Sequence, residues 1–458
     1  MADKRPNIVF MFSDQQRWDT LGCYGQRLPV SPNLDRLAAE GTKFEYAFTC
    51  QPVCGPARAC LQTGKYATEL DCFVNNMSLP PNHKTLAQYL NEAGYETACV
   101  GKWHLASDSE HSFKYDPVPQ DRRGGFQYWM AADVLEFTSH GYNGYVYDGD
   151  NKKHEFIGFR TDCIQDFAMD FIRQRKSDAP FYLYIPHLEP HHQNDYSYVD
   201  GPVGSKKRFK DFQVPPDLVG TEGNWRENYP DYLGACNALD ANVGKLIDTL
   251  KDFGYWENTV IIYSSDHATH FRTRNNEYKR SVHESSIRVP MIIYGPGFTG
   301  GNVRDDLVSL IDLPATILDI AGIPKPADFQ GISLKKLVKN EVQAPEAVFI
   351  QISENHIGRA IRTHKWAYSV RALGNAGEQK GSDVYYDHFL YDLENDYAEK
   401  NNLINKPEYA ETLIKLRKIL LEKMKEAHED PCDIRPNTEA PAEWHNWDPM
   451  AKSVLCNV

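Results

Sequence analysis

No Cys-x-x-Cys pair occurs among the ten cysteines, which sit at 23, 50, 54, 60, 72, 99, 163, 236, 432 and 456. That spacing excludes zinc ribbons and thioredoxin-type motifs. Their density is far below that of a disulfide scaffold, so free thiols are expected. No apolar run reaches the roughly 18 residues that a membrane-spanning helix needs. The apolar stretch Ile8–Phe12 is too short for a secretory core and lacks a small-residue cleavage site. A cytoplasmic location is therefore expected. Positive charge is in deficit, with 50 Lys and Arg against 63 Asp and Glu and a net charge of −13. Nucleic acid and membrane surfaces are anionic, so neither is expected as a partner. A small anion remains open, because a local cluster can override the global sum. No internal repeat or low-complexity tract is present.

What is there suits a large globular protein. The 458 residues are 41% hydrophobic and 25% charged, ordinary values for a soluble chain. Near-continuous apolar runs predict strands at Asn7–Phe12, Thr97–Gly101, Phe181–Ile185, Thr259–Ser264, Pro290–Tyr294 and Val348–Ile352. Such runs suit strands covered on both faces. Between them, Ser31-Pro32 reads as a helix start. Lys84–Ala93 reads as a helix ending at Gly94. Helical periodicity recurs in Arg160–Arg175 and across Leu239, Val243, Leu246, Ile247 and Leu250. This alternation predicts an α/β fold, a large doubly wound mixed sheet flanked by helices, over residues 1–345. Residues 346–458 read as a smaller α+β unit, a short antiparallel sheet plus one helix. Its strands are expected at Arg359–Tyr368 and Tyr385–Leu393, and its helix around Leu413–Met424. The stretch Pro431–Val458 is expected to wrap the surface.

In open α/β sheets the chemistry gathers at the carboxyl ends of the strands. Four polar clusters stand there: Ser13-Asp14-Gln15-Gln16, Lys102-Trp103-His104, Pro186–His192 and Ser265-Asp266-His267. Asp14 and Asp266 with the Gln15 amide suit a hard divalent cation. His267 is a less usual calcium ligand. A strand-end Asp alone could equally be a turn residue.

The segment Cys54-Gly55-Pro56-Ala57-Arg58-Ala59-Cys60-Leu61-Gln62-Thr63-Gly64-Lys65 puts a small nucleophile at a helix start. Backbone N–H groups and the dipole there favour an anion. Arg58, one turn in, could fork onto a tetrahedral oxyanion.

This segment resembles the sulfatase signature C-x-P-x-R-x-x-L-x-T-G, matching at Cys54, Pro56, Arg58, Leu61, Thr63 and Gly64. Lys65 stands where that family most often has Arg. Further landmarks run in the expected order: Pro6–Gly25, Ser31–Gly41, Gly101–His104, Pro190-His191, Ser265–His267, Leu310–Gly322 and Leu390–Leu393. The chain is thus similar to type I, formylglycine-dependent sulfatases of the alkaline-phosphatase-like superfamily.

The resemblance implies that a separate formylglycine-generating enzyme converts Cys54 to Cα-formylglycine. The hydrated aldehyde attacks sulfur and expels an alcohol, and sulfate loss regenerates the aldehyde. Carried over by position, Asp14, Gln15, Asp266 and His267 would hold the metal, with residue 54 completing the site. Calcium is the expected ion, with manganese or another divalent ion as the alternative. Arg58, Lys102 and Lys279 would surround the sulfate. His104 would take a proton for sulfate release, and Asp266 would serve as base for the diol. His191, or Lys279, would protonate the leaving oxygen. His187 and His192 are neighbouring alternatives for substrate contact. The basic run carrying His270, Arg272, Arg274 and Arg280 is expected to shape the leaving-group pocket, with Arg272 and Arg274 favouring a second anion such as a sugar carboxylate.

The implied activity is hydrolysis of a sulfate monoester on a small anionic substrate, a carbohydrate such as an exo-attacked glycan or uronate. The alternatives are a phosphonate monoester or phosphodiester hydrolase of the same superfamily and, from another class, an inactive glycan-binding relative.

Overall fold

The computed structural model describes residues 5–441. Strands are β1 (Asn7–Ser13), β2 (Thr42–Phe48), β3 (Glu96–Lys102), β4 (Tyr128–Ala132), β5 (Ser139–His140), β6 (Asn143–Asp148), β7 (Lys153–Ile157), β8 (Phe181–Pro186), β9 (Thr259–Ser265), β10 (Met291–Tyr294) and β11 (Asn302–Ser309). Among the described residues these form one sheet, ordered β11-β2-β10-β9-β1-β8-β3-β4-β6-β5, with β7 beside β6. The centre, β9-β1-β8-β3-β4, is parallel. β10 runs antiparallel between β9 and β2, which makes the sheet mixed.

The central strands are apolar because both faces are covered. Along β1, Ile8, Phe10 and Phe12 enter one core with helices Cys54–Thr63, Leu86–Glu92 and Asp312–Ile320. Val9 and Met11 enter the other, with helices Pro32–Glu40, Arg160–Gln174 and Trp225–Asp252. Fully burying one such side chain contributes about 1.5–3 kcal/mol.

β12 (Val348–Ile352), β13 (Ile357–Arg362), β14 (Trp366–Ala372), β15 (Val384–Asp392) and β16 (Asp433–Arg435) form a second sheet, in that order. It is antiparallel except for the β15–β16 pair. Helix Ala410–Glu426 packs Leu413, Leu416, Leu420 and Met424 into its core. The same core takes in Cys50, Cys60 and Tyr66, so the signature helix abuts the second sheet.

Several local expectations shift. Arg359–Tyr368 is a hairpin rather than one strand. The polar Thr363-His364-Lys365 makes the turn, closed by the Thr363 N–H donating to Trp366 O at 2.9 Å. Ser31 stands at the helix start but does not cap it. Asp240 accepts from the Asn33 and Leu34 N–H groups instead, at 3.2 and 2.8 Å. Helix Leu86–Glu92 begins with a capping box of Thr85 and Gln88. Of the expected surface wrap, residues 433–435 add a strand, and 442–458 lie outside the described residues.

Candidate active site

The register that pairs Ser13 with Ser265 sets Asp14-Gln15 beside Asp266-His267. Gln15 turns at φ 68°, its N–H donating to Asp266 Oδ1 at 3.1 Å. The Tyr232 hydroxyl, from helix Trp225–Asp252, donates to the Gln15 carbonyl at 2.6 Å. Gly101 lets β3 approach β8 closely enough to deliver Lys102: a Cβ there would lie 2.2 Å from Pro186 O.

Cys54 is the first residue of helix Cys54–Thr63 and is buried. Its Sγ lies 2.8 Å from Lys279 Nζ, 3.2 Å from His267 Nε2 and 3.5 Å from Asp14 Oδ1. Burial and the Asp14 charge push the thiol up, but Lys102, Lys279 and His267 outweigh them and lower it to about 7. The helix start contributes less to anion binding than expected. The Gly55 N–H donates to Asn75 Oδ1 at 3.0 Å and the Ala57 N–H to Val53 O. Positive charge at Cys54 therefore comes from side chains.

Two buried carboxylates face this cluster. Asp14 Oδ2 accepts from Lys102 Nζ at 2.8 Å and from Arg58 Nη2 at 3.1 Å, and Asp266 Oδ2 accepts from Arg58 Nη2 at 3.0 Å. Against its burial, Lys102, His191 and Arg58 hold Asp14 well below the usual carboxylate range. Burial and the neighbouring Asp14 charge push Asp266 up to about 6. A like-charged pair of this kind is relieved by a cation between its members. His267 Nδ1 faces Ala268 O at 2.9 Å, which leaves the Nε2 lone pair, on the side of the carboxylates, for a metal ion. Ligand atoms of Asp14, Cys54, Asp266 and His267 all lie within 4.8 Å of one another. One end of the Gln15 amide meets His192 Nδ1 at 3.2 Å, and the other, Nε2, is buried without a partner among the described residues. Two carboxylates, an imidazole and an amide fit a divalent cation.

His104 takes φ 60° after β3, and its N–H donates to Asp133 O at 2.7 Å. The Asp133 carboxylate accepts from the N–H groups of Leu105, Ala106 and Ser107 at 3.0, 3.0 and 2.9 Å, folding the loop that carries His104. Burial and Lys102 lower His104 to about 4. His191 Nε2 lies 3.1 Å from Lys279 Nζ. The His191 ring stacks on His192, and His192 on Tyr278, with centroids 4.3 and 3.8 Å apart. Burial and Lys279 hold both histidines well below the usual imidazole range.

The remaining expected substrate contacts divide. His192 and Arg280 line the cavity above Cys54, Arg280 being ion-paired with Glu354 and, at 2.8 Å, with Glu277. The other four do not reach it. His187 is buried against Gln165 at 3.2 Å, between β8 and helix Arg160–Gln174. His270 Nε2 holds the Lys279 carbonyl at 3.1 Å. Arg274 donates to the carbonyls of Glu399 and Ala398 at 2.8 and 2.7 Å. Arg272 is exposed, over the Tyr278 ring at 4.8 Å. Within the basic run, His270 and Arg274 thus satisfy backbone carbonyls, Arg272 covers a ring and Arg280 pairs with carboxylates.

The cavity measures about 840 Å³. Cys54, His104, His191 and Lys279 lie at its inner end, and Glu354, His356, Arg371 and Asn375 of the second sheet's loops and strands wall it. Sequence reading missed Glu136, Asp133 and Asn75. The first two follow β4, a strand whose flanking polar residues concealed it.

A mixed sheet carrying a buried nucleophile beside paired carboxylates and an imidazole defines an alkaline-phosphatase-like hydrolase. Within that class the sulfatase profile matches residues 6–323, and the profile of the N-sulphoglucosamine sulphohydrolase C-terminal region matches 276–426. The chain belongs to the sulfatase family, enzymes that hydrolyse sulfuric esters. An ulvan-active sulfatase of Formosa agariphila is 31% identical, over 89% of this chain and 79% of its own. An N-acetylglucosamine-6-O-sulfatase of Bacteroides thetaiotaomicron is 26% identical, over 94% and 88%. A protein solved in complex with its substrate D-glucosamine-2-N,6-O-disulfate superposes with a TM-score of 0.75 at 25% identity, covering 95% of this chain and all of the other. Membership implies a divalent metal and a formylglycine. Among the described residues no helix is long and apolar enough to cross a membrane.

Proposed function

We propose that this sulfatase releases sulfate from a small sulfated sugar that enters the cavity end-on, with residue 54 as nucleophile after maturation by a formylglycine-generating enzyme. The observation that carries this reading is Cys54 at the inner end of a cavity with Lys279 Nζ 2.8 Å from its Sγ. The polar side chains among that cavity's lining, such as Asn75, His192 and Arg371, and the sulfated-sugar names of the relatives support the substrate class.

Asp14, Gln15, Asp266 and His267 would hold the metal, with calcium proposed for its preference for oxygen donors. Manganese, which carboxylate oxygens also suit, is the second reading, and the His267 imidazole leaves room for another divalent ion. When bound, such an ion polarises ester oxygens and acidifies the nucleophile. The hydrated formylglycine supplies the attacking oxygen.

The chain's own groups do the rest. Arg58, Lys102 and Lys279 bind sulfate oxygens and stabilise charge as it spreads in the transition state. Lys279 and His191 hold the proton for the leaving oxygen, since Nζ and Nε2 already share a 3.1 Å contact. His104, held neutral, accepts the proton that accompanies sulfate release. Asp266 would be the base for the nucleophile, its ligand atom lying within 4.8 Å of that of residue 54.

The test is a panel of defined sulfated mono- and disaccharides, with a phosphonate monoester and a phosphodiester as competitors. Matured enzyme is expected to release sulfate from at least one sugar, and Cys54→Ala from none. Faster turnover of the phosphonate or the phosphodiester than of every sulfate would overturn the reading.

A further inference from the structure

The loop between β3 and β4 carries Lys114 into the wall of the cavity, beside Phe137. Its backbone is pinned on both sides. The Phe113 N–H donates to Ser107 Oγ at 2.9 Å, and the Phe113 side chain packs against the core of the main sheet. The Tyr115 carbonyl accepts from the Tyr145 and Tyr147 hydroxyls at 3.2 and 3.0 Å. The Lys114 ammonium lies over the Phe137 ring, 5.1 Å from its centroid. The Tyr115 and Phe137 rings meet in a T-shape, with centroids 5.6 Å apart.

This corner is the mouth of the cavity. Phe137 is 36% exposed and Tyr115 57%, whereas Cys54 at the inner end is 1% exposed and Lys279 and His191 are each 4%. A sugar that enters end-on and presents its ester to residue 54 fills the inner end. The ring attached to it then lies at Lys114. The cavity's 840 Å³ stands near the upper end of ordinary ligand pockets, roughly 300–1,000 Å³, and has room for both rings.

Neighbouring cations are already engaged. Lys279 faces residue 54, and Arg280 is paired with Glu354 and Glu277. Lys114 makes no ion pair among the described residues. The ring beneath it attracts its charge but leaves its N–H groups to other acceptors. An ammonium fixed against a ring in a cavity wall is screened less than one in open solvent.

We infer that Lys114 is a specificity-determining residue: its ammonium pairs with a carboxylate or sulfate on the ring next to the one that loses sulfate. The inference rests on the sulfated-sugar reading and deepens it. The substrate class narrows to acidic oligosaccharides of at least two rings. The second-anion role expected of Arg272 and Arg274 falls to a residue outside the basic run.

The experiment uses three disaccharides that share one sulfated terminal ring. The neighbouring ring is neutral in the first, carries a carboxylate in the second and a sulfate in the third. Cleavage of the shared ester is followed by NMR, and the ratio of kcat/KM, anionic over neutral, is read within each variant, so a general loss cancels. Wild type is expected to prefer at least one anionic disaccharide by about 10-fold, the low end for a hydrogen bond to a charged group. That preference should shrink in high salt. Which of the two is preferred distinguishes carboxylate from sulfate. Lys114→Met keeps the length without the charge, so its ratios should fall to near one, and Lys114→Arg should keep most of the preference. Ratios near one in wild type, or unchanged in Lys114→Met, would overturn the inference alone. So would a wild type that cleaves sulfated monosaccharides and none of the disaccharides. A wild type that releases sulfate from no sugar at all overturns the proposed function, and this inference with it.

Discussion

The Lys279 ammonium sits 2.8 Å from the Cys54 sulfur. Residues 225 positions apart in sequence thus share one contact, because His270 and Asn275 both hold the Lys279 carbonyl, at 3.1 and 2.9 Å. The lysine is placed to meet whatever nucleophile residue 54 becomes.

Removing that ammonium should act on chemistry rather than on folding. Lys279→Ala is expected to lower kcat by about 10²–10³-fold, the usual cost of one transition-state donor. Thermal unfolding should change little. A variant with wild-type kcat on its best sulfated sugar would take Lys279 out of the mechanism.

Metal binding should be visible as stability. Asp14 and Asp266 are two buried carboxylates bridged by Arg58, and a cation would ease their repulsion. Saturation at 100 times Kd stabilises a protein by about 2.7 kcal/mol. Chelation should lower both Tm and activity, and calcium or manganese should restore them. Asp14→Asn should weaken the response, and an unchanged Tm on chelation would count against this site.

Arg274 is a tie between loops, not a substrate contact. Its guanidinium holds the Ala398 and Glu399 carbonyls of the second unit. Arg274→Ala should therefore lower stability by about 1–3 kcal/mol, the cost of orphaning buried partners. Activity losses should match on sulfated uronates and neutral sulfated sugars. A selective loss on the uronates would restore a binding role.

Glu399 gives the protein a pH-sensitive joint. Burial, then the Glu284 charge, raises its carboxyl from 4.5 to about 8. The folded state thus keeps a proton that the unfolded chain has lost. Its contribution is fully present below pH 4.5 and is lost as pH rises through about 8. The slope is at most about 1.4 kcal/mol per pH unit. Denaturant titrations from pH 5 to 9 should show this decline in wild type and a flatter profile in Glu399→Gln. Identical profiles would remove Glu399 as the cause.

Much of this was legible in sequence, for identifiable reasons. β1, β3, β8 and β9 are buried on both faces, so apolarity alone marks them. β2 and β11 escaped because solvent faces part of each and charged residues interrupt them, Lys43 and Glu45 in one and Arg304, Asp305 and Asp306 in the other. The reacting residues were readable because they follow strands or sit in a fixed-spacing signature. Glu136 and Asp133 were not, since each acts through partners distant in sequence, Lys102 and the loop 104–107. The basic run misled because charge shows in a sequence and its pairing with backbone carbonyls does not.

One measurement bears on Cys54 itself. Protein made with and without a formylglycine-generating enzyme would be digested, and the peptide holding residue 54 weighed, with sulfate release assayed on the same samples. The peptide should lose one sulfur and two hydrogens and gain one oxygen, with activity rising in proportion to the converted fraction. Full activity in samples whose residue 54 is still cysteine, or in Cys54→Ala, would contradict it.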